Sequence, residues 1–420
     1  MRQVRHPGEM RWETRLLGML TAALLVFGVA ATYGAASLVT LEGQNAGVGF
    51  ALRQLSGAAV GGVLLLLASR LDYYRWRQLA WPLLFLTLLF LLIPLLPFTR
   101  SIAPSINGAR RWIDAGPINF QPSEVARLVV VIWCAMLASK KGAQIREFKK
   151  GVLPFLVMLG LVSLLILLEP NLSMATLVAL LGGLVLFTAG AKIGHFGLAA
   201  GLGMLLVFYQ IRDVEYRLAR LLTFLNPGNA ITEAGFQIHQ SLVGVGSGRL
   251  LGVGFGGGQQ KLGYLPYAYS DFLFSTIGEE WGFVGVCVVV FLFALFCWLG
   301  FRIARTAADP FGQYLAVGLT ATIGLTAFMH MAVSLGLIPT TGVTLPFMSY
   351  GRSSQVISLL GTGILINIGR LRGSARAGGP RERRKGGKTV GRYAGPERRD
   401  EEDEADSRTG SRRQSNMVNL

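Results

Sequence analysis

The stretch Leu83–Leu96, LLFLTLLFLLIPLL, decides the fold class because it runs for fourteen residues without a charge. Ala58–Leu67, AAVGGVLLLL, is equally free of charge, and comparable runs recur along the chain. A transmembrane helix needs about 20 predominantly apolar residues. Of the 420 residues, 52% are hydrophobic and only 15% are charged, whereas a typical soluble domain has about 25% charged residues. These features predict an all-α polytopic membrane protein.

Ten stretches are predicted as transmembrane helices. Their approximate bounds are 16–40, 52–69, 79–97, 122–138, 152–168, 172–190, 193–210, 271–301, 311–335 and 351–368. The first follows a short basic segment, but its apolar run exceeds the roughly 7–15 residues of a signal peptide, so we interpret it as a retained helix.

Lys and Arg in the short loops indicate the orientation, because cytoplasmic loops carry an excess of both residues. The basic loops are 70–78, 139–150 and 302–310. With ten spans these three loops share one face, and both chain termini lie on that face. We therefore predict a multi-pass membrane protein with both termini on the cytoplasmic side.

The chain is predicted to have three parts: a cytoplasmic N-terminal segment (1–14), a membrane domain (15–369) and a cytoplasmic tail (370–420). The tail contains an acidic block, Asp400–Asp406, among basic residues and almost no apolar ones, so we expect it to be disordered. The net charge of +17 fits basic loops and a tail that face anionic lipid head groups. No nucleic-acid-binding module is recognisable, and we expect no nucleic-acid partner.

Two segments on the opposite face, 98–121 and 211–270, are much longer than ordinary connectors. The second keeps apolar residues throughout, and its glycines permit close backbone approach and positive-φ turns. We expect it to form a large ordered extracytoplasmic cap between the seventh and eighth spans. Its glycine-rich part contains Gly246, Gly248, Gly252, Gly254, Gly256, Gly257 and Gly258.

Basic residues in these two outer segments depart from the usual charge distribution. Topology does not require them there, whereas an anionic ligand at the outer membrane face would. Guanidinium groups bind phosphate oxygens in a bidentate fork, which makes pyrophosphate a candidate ligand. The alternative is that they snorkel or form surface ion pairs. The residues are Arg110, Arg111, Arg212, Arg217, Arg220, Arg249 and Lys261.

Asp271 stands where the long segment enters the eighth span, in the sequence YSDF (269–272). One interpretation is a helix N-cap, because an Asp side chain satisfies exposed backbone N–H groups. The other is a general base, because a carboxylate at an apolar boundary can have a raised pKa. Composition alone favours the N-cap.

Glu279 and Glu280 lie inside the same apolar span, where ionisable groups usually face a protein interior or a cavity. At about 100° per residue, Glu279 lies roughly 80° from Asp271 and Glu280 lies on the opposite face. We therefore expect Glu279 to share a cavity with Asp271 and Glu280 to form a structural ion pair. His330 is interpreted as a packing or hydrogen-bonding residue.

Short motifs recur along the membrane domain in a fixed order. They are NGARRWI (107–113), QPSE (121–124), YR (216–217), QS (240–241), GSG (246–248), QK (260–261), LP (265–266), SDF (270–272), GEE (278–280), PTTG (339–342) and TLPFMSYG (344–351). On these motifs the sequence resembles the shape, elongation, division and sporulation (SEDS) family over nearly the whole membrane domain.

The resemblance implies polymerisation of lipid II into glycan strands at the outer face of the cytoplasmic membrane, with a class B penicillin-binding protein as transpeptidase partner. Asp271 matches the family's essential loop aspartate and is expected to be catalytic. We expect substrate or pyrophosphate contacts from Arg110, Arg217, Lys261, Gln240, Ser241 and Ser247. A supporting cavity is expected from Glu279, Glu124 and Ser349. A divalent cation, Mg²⁺ or Mn²⁺, is compatible with the pyrophosphate, but no ligand cluster demands one and no metal site is predicted.

The segment TLPF (344–347) resembles the division type of the family, FtsW, more than the rod-shape type, RodA. This favours a role at the division septum with other divisome components. Tyr269 departs from the family pattern, since His is frequent there. Two further functions remain open: a lipid II flippase and a non-catalytic scaffold for the transpeptidase.

Overall fold

The computed structural model describes residues 11–36, 40–41, 44–105, 108–116, 118–212, 224 and 233–371. The predicted N-terminal segment up to residue 10, the tail from 372 onward and Arg217 lie outside these ranges. The described residues form eleven α-helices, which confirms the all-α class. They are α1 Arg11–Ala36, α2 Ala46–Arg70, α3 Tyr74–Leu92, α4 Pro122–Lys141, α5 Leu153–Leu168, α6 Leu172–Thr188, α7 Ile193–Arg212, α8 Glu233–Ser247, α9 Leu273–Arg305, α10 Pro310–Ser334 and α11 Arg352–Leu371.

Each of the ten predicted spans coincides with one of these helices, and α8 is the additional one. Within the described ranges, eight helices are long and apolar enough to cross a membrane: α1 to α5 and α9 to α11. Helix α6 is apolar but has 17 residues, and α7 has 20. Several large apolar side chains on the outside of the bundle are more than 60% exposed, as expected for a surface in contact with lipid. Examples are Val26, Leu52, Phe85, Val157 and Phe291.

Helix α4 lies at the centre of the bundle, in contact with α3, α5, α6, α10 and α11. Its Trp133 is fully buried and meets Trp81 of α3 edge-on, with ring centroids 5.5 Å apart. Phe155 of α5 packs against the same ring at 5.7 Å. The contact with Trp81 joins the C-terminal half of α4 to the first half of α3. The basic loop 139–150, which follows α4, therefore lies at the end of the bundle where α3 begins.

Side-chain contacts gather several chain segments at that same end, which we call the basic end. Glu13 at the start of α1 forms an ion pair with Arg302 at the end of α9. The Tyr73 hydroxyl, between α2 and α3, donates to Asp309 Oδ1 before α10 at 2.5 Å. The Tyr73 amide donates to Asn367 Oδ1 near the end of α11 at 3.0 Å. The predicted common face of the three basic loops is therefore one end of the bundle.

The opposite end, which we call the loop end, carries two short antiparallel hairpins. One pairs β1 (Thr40–Leu41) with β2 (Gln44–Asn45), and the other pairs β3 (Ile113–Ala115) with β4 (Ile118–Phe120). The second hairpin belongs to the first long segment, 98–121. The Gln121 amide, directly after β4, donates to Ser353 Oγ of α11 at 3.3 Å, so this segment is held against the bundle.

Helix α9 is interrupted at Gly282, whose backbone angles (φ 65°, ψ −162°) are not helical. An unbroken helix would pair the carbonyls of residues 279 and 280 with the amides of residues 283 and 284. All four groups pair instead with segment 249–254 of the second long loop. The bonds are Phe283 N to Arg249 O (2.8 Å), Val284 N to Leu250 O (3.2 Å), Val253 N to Glu279 O (3.0 Å) and Gly254 N to Glu280 O (3.1 Å).

Glycines make this close approach of two backbones possible. A Cβ on Gly248 would lie 1.9 Å from Gly278 O, and one on Gly252 would lie 2.1 Å from Glu280 O. Gly252 also has a φ of 81°, which favours glycine. By contrast, a Cβ on Gly246 would meet nothing within 4 Å. The glycine-rich sequence therefore serves backbone packing against α9, as the sequence predicted, but not at every glycine.

Arg111 joins the first long segment to the turn between α5 and α6. Its Nε donates to Glu169 O at 3.0 Å, and its NH2 group donates to Pro170 O. The Glu169 side chain is buried beside it, only 1% of the residue being exposed. Burial raises the pKa of the Glu169 carboxyl to about 9, and the Arg111 charge offsets only part of this rise.

We expect Gly248→Ala to lower the unfolding temperature of the detergent-solubilised protein. The added methyl group has to displace the backbone of α9, and overpacking of this kind typically costs about 1–3 kcal/mol. The matched control is Gly246→Ala, which is exposed in α8 and should be neutral or stabilising by up to about 1 kcal/mol. Equal unfolding temperatures for the two variants would contradict the close backbone packing.

The buried Glu169 carboxyl predicts a pH-dependent stability. The unfolded chain loses this proton near the ordinary acidic pKa, whereas the folded chain keeps it until about pH 9. Unfolding therefore releases a proton in the window between these values, and the free energy of unfolding falls as pH rises through it. Glu169→Gln should weaken this decline between pH 5 and pH 8.5, measured as the unfolding temperature at each pH. Glu147→Gln, in an exposed loop, should keep the wild-type pH dependence.

Candidate active site

Asp271 lies on the turn that leads into α9, at the loop end of the bundle. Its amide donates to Tyr267 O at 2.9 Å, and its side chain is half-buried. The helix begins at Leu273, and its N-cap is Phe272, which makes no side-chain cap bond. The N-cap interpretation of Asp271 was therefore wrong, because the turn ends one residue later than the sequence pattern suggested.

An aromatic cluster holds the backbone immediately before Asp271. The ring of Tyr269 lies 4.4 Å from that of Phe50 and 5.8 Å from that of Tyr350, and the Tyr350 amide donates to Tyr269 O at 3.1 Å. Burial raises the pKa of the Tyr269 phenol, and the nearby Tyr267, Tyr350 and Asp271 groups raise it further. Tyr269 therefore stays neutral beside Asp271 and provides an apolar wall.

His330 holds the first turn of α9 from the neighbouring helix α10. Its Nδ1 pairs with Val343 O at 2.9 Å, and its Nε2 accepts from the Phe274 amide at 3.4 Å. These partners require the tautomer that carries the proton on Nδ1. His330 is thus a hydrogen-bonding residue, in agreement with its interpretation from the sequence.

Glu279 binds the backbone of the long loop. Its Oε1 accepts from the amides of Gln259 (2.6 Å) and Gln260 (3.3 Å). A Cβ on Gly258 would lie 2.7 Å from Oε2, so a glycine is needed for this approach. The carboxylate therefore fixes where segment 258–260 meets α9, and its contacts are with that segment.

Lys261 and Glu280 form an ion pair whose side chains are 0% and 1% exposed, with Nζ 3.1 Å from Oε1. Lys261 Nζ also donates to Gly256 O at 2.6 Å and to Gly34 O of α1 at 3.2 Å. An ammonium group has three N–H donors, and these partners occupy all three. Lys261 makes structural contacts here, and its predicted binding of pyrophosphate stays a prediction. Glu280 forms the ion pair expected from the sequence.

The prediction that Glu279 faces Asp271 and Glu280 faces away from it assumed a helix that includes Asp271. It treated residues 271 to 280 as one regular helix, whereas Asp271 precedes α9, which begins at Leu273. Both carboxylates contact the same loop, Glu279 at Gln259 and Gln260 and Glu280 at Lys261. Gly282 is visible in the sequence, but an isolated glycine in an apolar helical pattern is normally tolerated and does not by itself predict a break.

The arginines of the first long segment bind backbone carbonyls. Arg110 donates to Ala103 O (2.9 Å), Leu96 O (3.0 Å) and Thr99 Oγ1 (3.1 Å), all in its own loop. In this arrangement its guanidinium stabilises the loop, and a phosphate ligand would have to displace these contacts. Arg111 contacts the turn at Glu169. Arg217 lies outside the described residues, so its predicted role stays a prediction.

The candidate residues on α8 differ in their surroundings. Ser241 is fully buried, lies 2.5 Å from Ser275 Oγ and donates to Ser334 O at 2.7 Å, so it joins α8 to α9 and α10. Ser247 donates to Gly244 O at 2.8 Å within its own helix. Gln240 is half-buried on the same helix. Substrate contacts by Gln240, Ser241 and Ser247 stay predictions.

Glu124 and Ser349 support the fold near the loop end. Glu124 pairs with Arg127 one helical turn later at 2.8 Å, and Arg127 donates to Thr326 of α10 and Ser358 of α11. This buried pair joins three helices. Ser349 Oγ accepts from the Leu345 amide at 3.0 Å and closes the turn before α11.

Together, the structure brings Lys261, Glu279 and Glu280 into one cluster and places Asp271 ten residues beyond Lys261 on the same segment. Gly34 of α1 completes this cluster, and no motif identified it from the sequence. Among the described residues, no three His, Cys, Asp or Glu side chains group as a metal site would require. Whereas Glu279 and Glu280 are buried, Asp271 is half-buried beside an apolar wall, where a hydroxyl could approach it.

Comparison with known proteins gives a consistent result. Residues 15–373 match the family model FTSW_RODA_SPOVE, described as "Cell cycle protein". The chain is 40% identical over 366 residues to the "Probable peptidoglycan glycosyltransferase FtsW" of Trichlorobacter lovleyi, covering 87% of this chain and 95% of that protein. It is 35% identical over 355 residues to "Stage V sporulation protein E" of Bacillus subtilis, covering 84% and 96%.

Two solved structures share the fold. A chain of the complex described as "Structural coordination of polymerization and crosslinking by a peptidoglycan synthase complex" has a TM-score of 0.70 and 28% identity, covering 85% of this chain and 97% of that one. The rod shape determining protein RodA of Thermus thermophilus has a TM-score of 0.62 and 26% identity, covering 85% and 96%. Since the family model spans most of the membrane helices and the relatives match almost end to end, this chain belongs to the FtsW, RodA and SpoVE family, the SEDS family that its motifs indicated.

Proposed function

We propose that this protein is a peptidoglycan glycosyltransferase of the FtsW type, which polymerises lipid II into glycan strands at the outer face of the cytoplasmic membrane. Relatives at 36–40% identity carry the name "Probable peptidoglycan glycosyltransferase FtsW". The observation that carries the proposal is the position of Asp271. It is a half-buried carboxylate at the end of the bundle opposite the basic loops, on a turn that backbone hydrogen bonds at Tyr267 and Tyr269 fix in place.

The proposed reaction is a glycosyl transfer with inversion. The Asp271 carboxylate accepts the proton of the sugar 4-hydroxyl of one lipid II molecule. The hydroxyl oxygen then attacks the anomeric carbon of the lipid-linked donor strand. The bond from that carbon to the pyrophosphate oxygen breaks, and undecaprenyl pyrophosphate leaves.

The leaving pyrophosphate needs positive charge in its vicinity. Arg217 is our proposed ligand. Arg110 and Lys261 could serve only by giving up three hydrogen-bonding contacts each.

The proposed partner is a class B penicillin-binding protein that crosslinks the new strand. The structural similarity to a chain of a peptidoglycan synthase complex supports this proposal. The basic end, with loops 70–78, 139–150 and 302–310, would face the cytoplasm together with both termini. The FtsW type implies action at the division septum with other divisome components.

Asp271→Asn should abolish polymerisation, because the amide keeps the shape of the side chain but cannot accept the proton. General-base catalysis typically contributes about 10²–10⁴-fold to a rate, so we expect a loss of at least a hundredfold. The assay measures glycan strands made from lipid II by the protein purified with its class B partner. Moenomycin is added to suppress contaminating polymerases of the other class.

The matched control is Asp72→Asn, an exposed carboxylate at the basic end, which should polymerise at the wild-type rate. Full activity of a folded Asp271→Asn protein would remove Asp271 from the mechanism. No polymer from wild type in an intact complex would favour a flippase or a scaffold.

The Lys261–Glu280 pair predicts how stability and activity change together. Lys261→Met leaves the buried Glu280 charge unpaired, which typically costs about 3–5 kcal/mol, so the unfolding temperature should fall markedly. In Lys261→Met/Glu280→Leu the unpaired charge is gone, and the unfolding temperature should largely return.

Polymerisation distinguishes the two roles of Lys261. A purely structural role of Lys261 predicts that the double variant regains at least half of the wild-type activity along with its stability. A stable but inactive double variant would show instead that the ammonium contacts the substrate.

A further inference from the structure

We propose that residues 250–255, which we call the apolar loop, insert into the hydrocarbon boundary of the outer leaflet and anchor the loop end in the membrane. The apolar loop is the sequence LLGVGF, between α8 and Lys261. Its large side chains point away from the protein. Leu250 is 69%, Leu251 80%, Val253 48% and Phe255 53% exposed.

The depth of the apolar loop follows from its bonds to α9. It pairs with α9 on both sides of Gly282, so it lies at the height of that residue. Twenty residues separate Gly282 from Arg302, which pairs with Glu13 at the basic end. At about 1.5 Å per residue this is a rise of about 30 Å, which equals the thickness of the hydrocarbon core. Gly282 and the apolar loop therefore lie at the boundary of the hydrocarbon core opposite the one at Arg302.

Two independent features agree with this depth. Tryptophans concentrate at both membrane boundaries, and α9 carries Trp281 beside the break and Trp298 beside Arg302. Helix α1 gives the same height, because Gly34, which accepts from Lys261, lies 21 residues beyond Glu13. This is a rise of about 32 Å.

The apolar loop continues the surface that α9 offers to lipid. The Phe255 ring lies 6.2 Å from the Trp281 ring. Phe283 and Val284, just past the break, are 59% and 50% exposed. No charge interrupts residues 250 to 260, and the exposed Arg249 stands at the edge, where its guanidinium can reach lipid phosphates. An exposed apolar cluster of this kind marks a membrane or protein contact, and its depth and continuity favour lipid.

The long segment was expected to form an ordered cap on the outer face, and this proposal places part of it in contact with lipid. Part of the long segment is a boundary anchor, which fixes the height at which the chain continues through Lys261 towards Asp271. If the proposed function holds, the anchor keeps the catalytic segment at the level of the lipid-linked pyrophosphate. The depth itself does not depend on that function.

The test uses wild-type protein in nanodiscs and two photoreactive diazirine reagents. One is a phospholipid with the diazirine near the glycerol end of its acyl chain, and the other is a water-soluble diazirine. Trypsin cleaves after Arg249 and Lys261 and releases peptide 250–261 for mass spectrometry. Peptide 71–75, whose residues at the basic end are exposed except for Tyr73, is the matched control.

We expect peptide 250–261 to carry at least five times more lipid adduct than water-reagent adduct, and peptide 71–75 to show the reverse. Preferential labelling of 250–261 by the water reagent would overturn the proposal. Lipid adduct that disappears when the class B partner is present would also overturn it, since the partner would then be the occupant. These outcomes are independent of polymerisation, so failure of the proposed activity would leave them unchanged.

Depth can be measured separately with a fluorophore at Leu251→Cys, in a protein whose three native cysteines are replaced by Ala. Lipids with a quencher at acyl carbon 5 should quench this label at least twice as strongly as lipids with a quencher at carbon 12. The order should reverse for Phe291→Cys, which is exposed near the middle of α9. Quenching of the Leu251 label by iodide but by neither lipid would contradict the insertion.

Discussion

The pairing of segment 249–254 with the broken backbone of α9 is the interaction on which the loop end depends. Backbone groups in an apolar surrounding have to be hydrogen-bonded, since each unpaired group costs several kcal/mol. The break at Gly282 creates two free carbonyls and two free amides, and the loop supplies partners for all four. Neither element is satisfied without the other, so they form one unit.

Buried charges extend this unit towards Asp271. Glu279 binds the amides of Gln259 and Gln260, while Glu280 pairs with Lys261, which also binds Gly34 of α1. Loss of one partner from a buried pair of this kind strongly destabilises the protein, because the remaining charge is left with neither a counter-ion nor water. These contacts fix the beginning of segment 259–271. Its end is fixed where Tyr269 packs against Phe50 and Tyr350 and where α9 begins.

The two ends of the bundle differ in their loops and in their charges. The basic end gathers short loops through Glu13–Arg302 and Tyr73–Asp309, and its charges suit the cytoplasmic face. The loop end carries the hairpins, α8 and the segment with Asp271, and so provides a surface at the opposite membrane boundary. This separation suits an enzyme whose lipid-linked substrate lies in the outer leaflet. Arg110 and Arg111 of the first loop stabilise this end by donating to backbone carbonyls.

The sequence by itself determined the helical class, the ten apolar spans, the shared end of the basic loops and the family, because hydrophobicity, charge and motif order are local properties. It also singled out Asp271 as a candidate residue and a glycine-rich stretch suited to close backbone approach. Only the tertiary structure decided that Lys261, Glu279 and Glu280 meet in one cluster, that Arg110 binds its own loop and that Asp271 is not the N-cap. The cluster forms because residues 249–254 pair with the backbone of α9 around Gly282, between segments about thirty residues apart. The Arg110 contacts depend on how residues 96–110 fold back on one another. No local pattern encodes either arrangement.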